Sequence, residues 1–366
     1  MDKIYTTIGL MSGTSLDGVD ASIIRSDGEK LIEIKKNLYL AYDFDFKKKL
    51  NNFIKLATSI KNIEEKKQEY KNLERELTLK HSEISTRIMK EYNKQDVDFV
   101  GFHGQTILHR PDENYSIQMG DAKLLSQLLH KKIIFNFRKK DIDNNGNGAP
   151  LTPIFHYNLS KFLKLPEPNI ILNIGGISNF TYTNNKVLKA KDIGPGNVLM
   201  DEYLKKNKKL DYDKDGIIAE NGLVNHDIVN RFIENEFYNS KNKHSLNRSD
   251  FDYSFVKGLN LEDSLATLTY FTANIISEYI NKNFENDLNI ILCGGGRKNK
   301  ILIKFLKKLT HKKITLIDKY NIDGDFIESQ AFGYLAIRSY LKKNISFPET
   351  TKVKKPVTGG EIVSNF

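Results

Sequence analysis

The stretch that most constrains this chain is residues 4–24. Two apolar runs flank the turn Met11-Ser12-Gly13-Thr14-Ser15-Leu16-Asp17-Gly18-Val19-Asp20. Two strands joined by a Gly-, Ser- and Thr-rich turn predict a β-hairpin. Gly13 and Gly18 allow a tight bend and a close approach of backbone to ligand. The N–H groups of such a turn, with the hydroxyls of Ser12, Thr14 and Ser15, suit phosphate oxygens. The carboxylates of Asp17 and Asp20 suit Mg²⁺ or a hydroxyl. The turn is not a P-loop, because it lacks GxxxxGK[ST] and no helical pattern follows it. An ordinary hairpin with a polar tip would show the same pattern.

Further along, residues 30–40 alternate apolar and polar and predict a third strand. Residues 44–92 are highly charged and free of Gly and Pro. Their apolar positions (Leu50, Phe53, Ile54, Ala57, Ile60, then Leu73, Leu77, Ile84, Ile88) recur at helical spacing, with a break near 58–62. A short strand at 98–101 runs into His103, Gly104, Gln105 and Thr106, a polar cluster where open α/β sheets place ligands. Asp121 is placed to cap a helix over 122–129. Arg138 and Asp141 read as a surface ion pair, and 143–150 as a hinge or substrate loop.

The second half repeats this outline. An apolar strand at 169–174 enters Gly175-Gly176-Ile177-Ser178, which predicts a second phosphate-facing hairpin. Asp192 stands at a strand end before Gly194-Pro195-Gly196-Asn197, a position suited to a general base or to a helix cap, with Asp201 the alternative carboxylate. Arg248, in a polar connection, is a candidate for a substrate carboxylate or for the surface. A helix spans 261–284. A strand then ends in Gly294, Gly295 and Gly296, followed by Arg297 and Asn299. A helix over 325–340 carries Glu328 near its start and the small residues Ala331, Gly333 and Ala336, which predict close packing.

Composition excludes several classes. The chain of 366 residues is long enough for two domains, with 39% hydrophobic and 28% charged residues. The net charge of +10 comes from lysines scattered through every segment, without a nucleic-acid-binding signature. Cys293 is the only cysteine, so no disulfide framework or Cys-based zinc site is available. Neither a signal-peptide core nor a membrane-length apolar run is present, and a cytoplasmic protein without membrane or nucleic-acid partners is expected.

These motifs together resemble the 1,6-anhydro-N-acetylmuramic acid kinases of bacterial cell-wall recycling. The matching segments are MSGTSLDGVD at 11–20, GFHGQT at 101–106, GNGAPL at 146–151, NIGGISN at 173–179 and DIGPGN at 192–197. CGGGRKN at 293–299, Glu328 with Ala331-Phe332-Gly333, and PVTGG at 356–360 complete the set. The resemblance spans nearly the whole chain. It implies an α/β, two-lobed sugar kinase/actin-like ATPase fold, a duplicated ribonuclease H-like architecture with an interlobe cleft. Residues 1–130 with 331–366 would form the first lobe and 131–330 the second. It also implies ATP and Mg²⁺ as cofactors, with metal ligands unassigned, and a homodimer.

In the implied reaction water opens the 1,6-anhydro bridge while O6 takes the γ-phosphoryl group of ATP, giving N-acetylmuramate 6-phosphate and ADP. By motif, Gly13, Thr14, Ser15, Leu16, Asp17, Gly18, Val19 and Asp20 would bind ATP phosphates. Gly175, Gly176, Gly294, Gly295 and Gly296 would lie at the nucleotide. His103, Gln105, Thr106, Asn147, Gly148, Pro195, Gly196 and Asn197 would meet the sugar. Asp192 would be the base and Glu328 would organise the phosphate or metal region. The chain departs from the family pattern at Asn147, where Gln is usual, and at Ile193, where Thr is common. The alternatives are a kinase for another amino sugar or anhydro-sugar, and a nucleotide-dependent sugar sensor without turnover.

Overall fold

The computed structural model describes residues 3–185, 187–233, 251–285 and 287–366; Arg248 lies outside them. Contacts divide the chain into two compact units, Met1–Lys164 with Phe326–Phe366, and Leu165–Asp325.

The first unit opens with the hairpin. β1 (Tyr5–Ser12), buried throughout, pairs antiparallel with β2 (Gly18–Ser26), which pairs antiparallel with β3 (Ile32–Ala41). The charged stretch forms α1 (Phe44–Leu56), α2 (Ile60–Glu65) and α3 (Lys67–Tyr92). The break falls where Ser59 caps α2 by accepting the Asn62 N–H at 3.2 Å. Phe46, Leu50, Phe53, Leu77, Ile84 and Ile88 are fully buried on the sheet-facing side. Each contributes about 1.5–3 kcal/mol relative to exposure.

β4 (Phe99–Arg110) lies parallel to β1, and β5 (Tyr115–Met119) pairs antiparallel with its second half. β4 is therefore longer than the strand read at 98–101. His103, Gln105 and Thr106 sit inside it, because β5 supplies a second ladder partner. Asp121 caps α4 (Ala122–Leu129) by accepting the Leu124 N–H at 2.9 Å. β6 (Lys132–Phe135) runs parallel to β4, and α5 (Lys139–Asp143) and α6 (Pro153–Phe162) follow.

The second unit begins with the antiparallel meander β7 (Asn169–Ile174), β8 (Ile177–Asn184) and β9 (Val187–Pro195). The helices α7 (Val198–Lys208), α8 (Ile217–Glu220), α9 (His226–Phe232) and α10 (Leu261–Asn283) lead to β10 (Asn289–Cys293), parallel to β7. α11 (Lys300–Thr310) then leads to β11 (Lys313–Leu316), parallel to β10. Ile170, Leu172, Ile290 and Leu292 pack on Ala273 and Ile276 of α10 and on Leu302 and Leu306 of α11.

The chain returns to the first unit with α12 (Ile327–Tyr340), α13 (Pro348–Thr351) and β12 (Glu361–Val363), which pairs antiparallel with β6. α12 lies directly on β1 and β4. A Cβ on Gly9 would stand 1.9 Å from the Ser329 carbonyl oxygen, and one on Gly101 would stand 2.4 Å from that of Phe332.

The five strands β3-β2-β1-β4-β6 of the first sheet, to which β12 adds beyond β6 and β5 beside β4, match the second sheet's β9-β8-β7-β10-β11 in order and direction. This repeat is the duplicated ribonuclease H-like architecture that the resemblance implies. The boundaries differ from those read at 130/131 and 330/331. β6 is hydrogen-bonded to β4, and α12 meets β1 from Ser329 onward, so both belong to the first unit. Among the described residues no helix is long and apolar enough to cross a membrane.

Candidate active site

In each unit the carboxyl ends of the parallel strands meet a glycine-rich turn, where open α/β sheets take ligands. In the first unit the turn is Gly13-Thr14-Ser15-Leu16-Asp17. The Leu16 N–H donates to the Gly13 carbonyl at 3.2 Å, and the Leu16 side chain is buried beneath the turn. Thr14 and Ser15 are exposed at the tip. A Cβ on Gly13 would meet nothing nearer than Ser15 Oγ at 3.9 Å, so the turn is open on that side. Ser12 is not part of the open face. Its buried hydroxyl donates to Gln105 Oε1 at 2.6 Å and lies 2.8 Å from the Tyr42 hydroxyl. Asp17 is likewise held: Lys47 pairs with its carboxylate, and its carbonyl accepts from the Tyr39 hydroxyl at 2.8 Å. Gly18 and Val19 are buried in β2, and Asp20, half-buried, stands opposite Met11 in the ladder.

Near β4, His103 and Gly148 both bond to Arg138. The guanidinium donates through Nε at 3.2 Å and lies with Nη2 at 3.0 Å from His103 Nε2. His103 Nδ1 lies 2.8 Å from the Gly104 carbonyl oxygen, so Nδ1 carries the proton and Nε2 is the acceptor. Burial holds His103 well below the ordinary imidazole range, and the Arg138 charge adds to this. Arg138 Nη1 donates to the Gly148 carbonyl at 2.9 Å. Burial lowers the guanidinium to about 10 against the opposing charges of Glu328 and Asp141. Burial pushes the Glu328 carboxyl up, and Arg138 pulls it back down. Thr106 Oγ1 accepts from Gln118 Nε2 at 3.3 Å.

The loop before α6 is pinned from both faces. Asp141, 1% exposed, accepts the Gly148 N–H at 2.6 Å and the Thr351 hydroxyl at 2.6 Å. The Asn147 N–H donates to the Thr351 carbonyl at 2.7 Å. Gly148 adopts a φ of 67° with Ile142 against the place where a Cβ would stand, so only glycine fits. The surface ion pair read at Arg138 and Asp141 is thus corrected: both side chains turn inward and hold opposite ends of the Gly148 residue.

In the second unit the β7–β8 turn is Gly175-Gly176. Its carbonyls accept from the N–H groups that open α7: Asn197 to Gly175 at 2.8 Å, and Gly196 to Gly176 at 2.9 Å. Pro195 ends β9 with its carbonyl accepting from the Ser178 hydroxyl at 2.9 Å. Asp192 is half-buried in β9 opposite Asn179, three residues before the strand ends. Pairing with β8 extends β9 past the end expected at Asp192. Asn197 makes no side-chain cap on α7; its amide nitrogen faces Gly295, 3.8 Å from where a Cβ would stand. Gly294 and Gly296 pack on Asn173 and Ile174 at the end of β7. Asp192, Pro195–Asn197, the Gly175-Gly176 turn and Gly294–Gly296 therefore share one end of this sheet, as the β1–β2 turn, Gln105 and Arg138 do in the first.

Sequence reasoning missed Tyr42, Thr351 and the buried roles of Arg138 and Asp141. The one local signal was Phe137 and Ile142, apolar residues flanking the two charges. Arg297, read beside the glycines, ion-pairs with Asp318, Asp323 and Asp325, while Asn299 caps α11 by accepting from the Ile301 and Leu302 N–H groups.

The sequence matches the family described as anhydro-N-acetylmuramic acid kinase over residues 5–365. It is 50% identical to the anhydro-N-acetylmuramic acid kinase of Pelagibacter ubique, covering 100% of both chains, and 38% identical to that of Zymomonas mobilis, covering 97% of this chain and 98% of that one. Among solved structures, the activator of the 2-hydroxyisocaproyl-CoA dehydratase from Clostridium difficile with bound ADPNP aligns at a TM-score of 0.46 and 15% identity, covering 93% of this chain and 99% of that one. With a family match over nearly its whole length and a relative 50% identical over the full length of both chains, the chain belongs to the anhydro-N-acetylmuramic acid kinase family.

Proposed function

We propose that this protein is an ATP-dependent kinase that opens the 1,6-anhydro ring of 1,6-anhydro-N-acetylmuramic acid and phosphorylates O6, in peptidoglycan recycling. The observation that carries the reading is the family match over residues 5–365. Asp192, in the second unit, is assigned as the base that takes a proton from water. The water oxygen bonds to the anomeric carbon, the bond from that carbon to O6 breaks, and O6 takes the γ-phosphoryl group as ADP leaves. A positioned base contributes ~10²–10⁴-fold. The exposed Thr14 and Ser15 of the open β1–β2 turn are assigned to the ATP phosphates, with Gly13 and Leu16–Asp20 shaping the turn. Gly175, Gly176 and Gly294–Gly296 are assigned to the nucleotide. His103, Gln105, Thr106, Asn147, Gly148 and Pro195–Asn197 are assigned to the sugar.

Magnesium is usually held by one or two carboxylates together with substrate phosphates. Glu328, half-buried with its oxygens outside any hydrogen bond among the described residues, fits that donor set. When bound, Mg²⁺ neutralises charge on the transferring group. A homodimer in the cytoplasm completes the reading.

The test is incubation with ATP, Mg²⁺ and the anhydro-sugar, with products identified by mass. N-acetylmuramate 6-phosphate and ADP are expected. Asp192→Asn is expected to lower turnover ~10²–10⁴-fold while its thermal melt stays that of the wild type. Normal turnover by Asp192→Asn would remove Asp192 from its role.

A further inference from the structure

His103 on β4 and Gly148 in the loop before α6 come from different parts of the sequence, and both are hydrogen-bonded to Arg138, whose charge also acts on Glu328 in the first turn of α12. We propose that Arg138 is a positioning residue that holds the His103 ring and the Gly148 peptide in one fixed arrangement on the sugar side of the site. This inference rests on the kinase reading above.

Three observations carry it. The first is the geometry of the fork. Nε and Nη2 share the one lone pair of His103 while Nη1 reaches the Gly148 carbonyl at 2.9 Å, a planar pattern that a lysine ammonium does not reproduce. The His103 proton is committed to the Gly104 carbonyl, so the ring presents an acceptor to Arg138 and stays neutral.

The second is the kind of partner. Both hydrogen-bond acceptors are uncharged, so the balance for the half-buried cation comes from Glu328 and Asp141. A residue kept only for packing would be served as well by an apolar side chain. The packing here is done by its neighbours Phe137 and Ile142, which are 2% and 3% exposed.

The third is the contrast along the same segment. Lys139 and Lys140 turn outward to Asp143 and Thr358, whereas Arg138 turns in.

Steady-state kinetics with ATP and the anhydro-sugar, paired with thermal melts, test the proposal. Arg138→Lys is expected to melt as the wild type, to lose kcat by ~100-fold, the scale of a small misplacement of reacting groups, and to keep its KM for ATP. Arg138→Ala is expected to regain part of the lost kcat when methylguanidinium is added, because the ion refills the fork. A kcat for Arg138→Lys within about threefold of wild type would overturn the proposal. So would a folded Arg138→Ala that methylguanidinium leaves unchanged; if Arg138→Ala does not fold, Arg138→Lys alone decides. Absence of turnover by the wild type would overturn the kinase reading and this inference together, whereas active wild type with active variants overturns the inference alone.

Discussion

A guanidinium hydrogen-bonded to carboxylates behaves differently from one hydrogen-bonded to neutral acceptors, and this chain holds both. Arg297, 4% exposed, meets Asp318 through two bonds of 2.7 and 2.8 Å, Asp323 at 3.1 Å and Asp325 at 2.5 Å. Burial works against its charge, but the bonds to Asp318 and Asp325 prevail and hold it above the ordinary range. Arg297→Leu leaves three carboxylates facing an apolar side chain and is expected to cost roughly 3 kcal/mol at neutral pH, read by urea unfolding.

The same pairing sets an acid limb. The Arg297 bond holds Asp318 below its usual 3.8, and Lys298 and Arg297 overcome burial to lower Asp325 from the same value. Folded pKa values below the unfolded ones mean stability that is complete above that range and lost as pH falls through the folded values. Arg297→Leu is therefore expected to show a flatter stability curve from about pH 4 downward. The arginine was legible in the sequence, but its partners were not. They lie 21 to 28 residues further on, brought back by the turn after β11. Arg138 was misread for the same reason, since Thr351, which fixes Asp141 beside it, is 210 residues away.

At the scale of elements, the contact between α12 and the first sheet is set by missing side chains. Gly9→Ala would push a methyl group to 1.9 Å from the Ser329 carbonyl oxygen and 2.3 Å from the Gly333 nitrogen, so helix and strand must part. A loss of about 3 kcal/mol or more is expected in denaturant unfolding. Gly13→Ala makes the matched comparison, because its Cβ would enter open space 3.9 Å from Ser15 Oγ. Its stability is expected to stay within about 0.5 kcal/mol of wild type, while the KM for ATP rises if phosphates sit against that turn. The hairpin and the long helices were legible because their signals are local: alternation, helical spacing, the Asp121 cap. The small residues of α12 also read correctly as close packing. The full length of β4 did not, because residues past Gly101 stay extended only where β5 pairs with them.

For the whole molecule, three buried histidines of the described residues, His81, His103 and His156, and the half-buried His109 all lie in the first unit. Burial lowers His81 and His109 from 6.5 to about 4 and His156 to about 3, and holds His103 well below 6.5. These rings stay neutral when folded, while the unfolded chain takes protons near 6.5. The unfolded state then binds more protons, and stability falls as pH drops from about 6.5 toward 4. Hydrogen exchange across that window is expected to show the first unit opening before Leu165–Asp325; simultaneous opening would remove the histidines as the cause.

The route of the chain also orders its birth. Leu165–Asp325 is continuous and encloses apolar clusters of its own, so it has every strand it needs once it clears the ribosome. The first unit emerges earlier yet waits longest, because the helix that covers Gly9 and Gly101 is made near the end of translation. Nascent chains halted before residue 326 should therefore present a protease-resistant later half trailing an unfinished beginning.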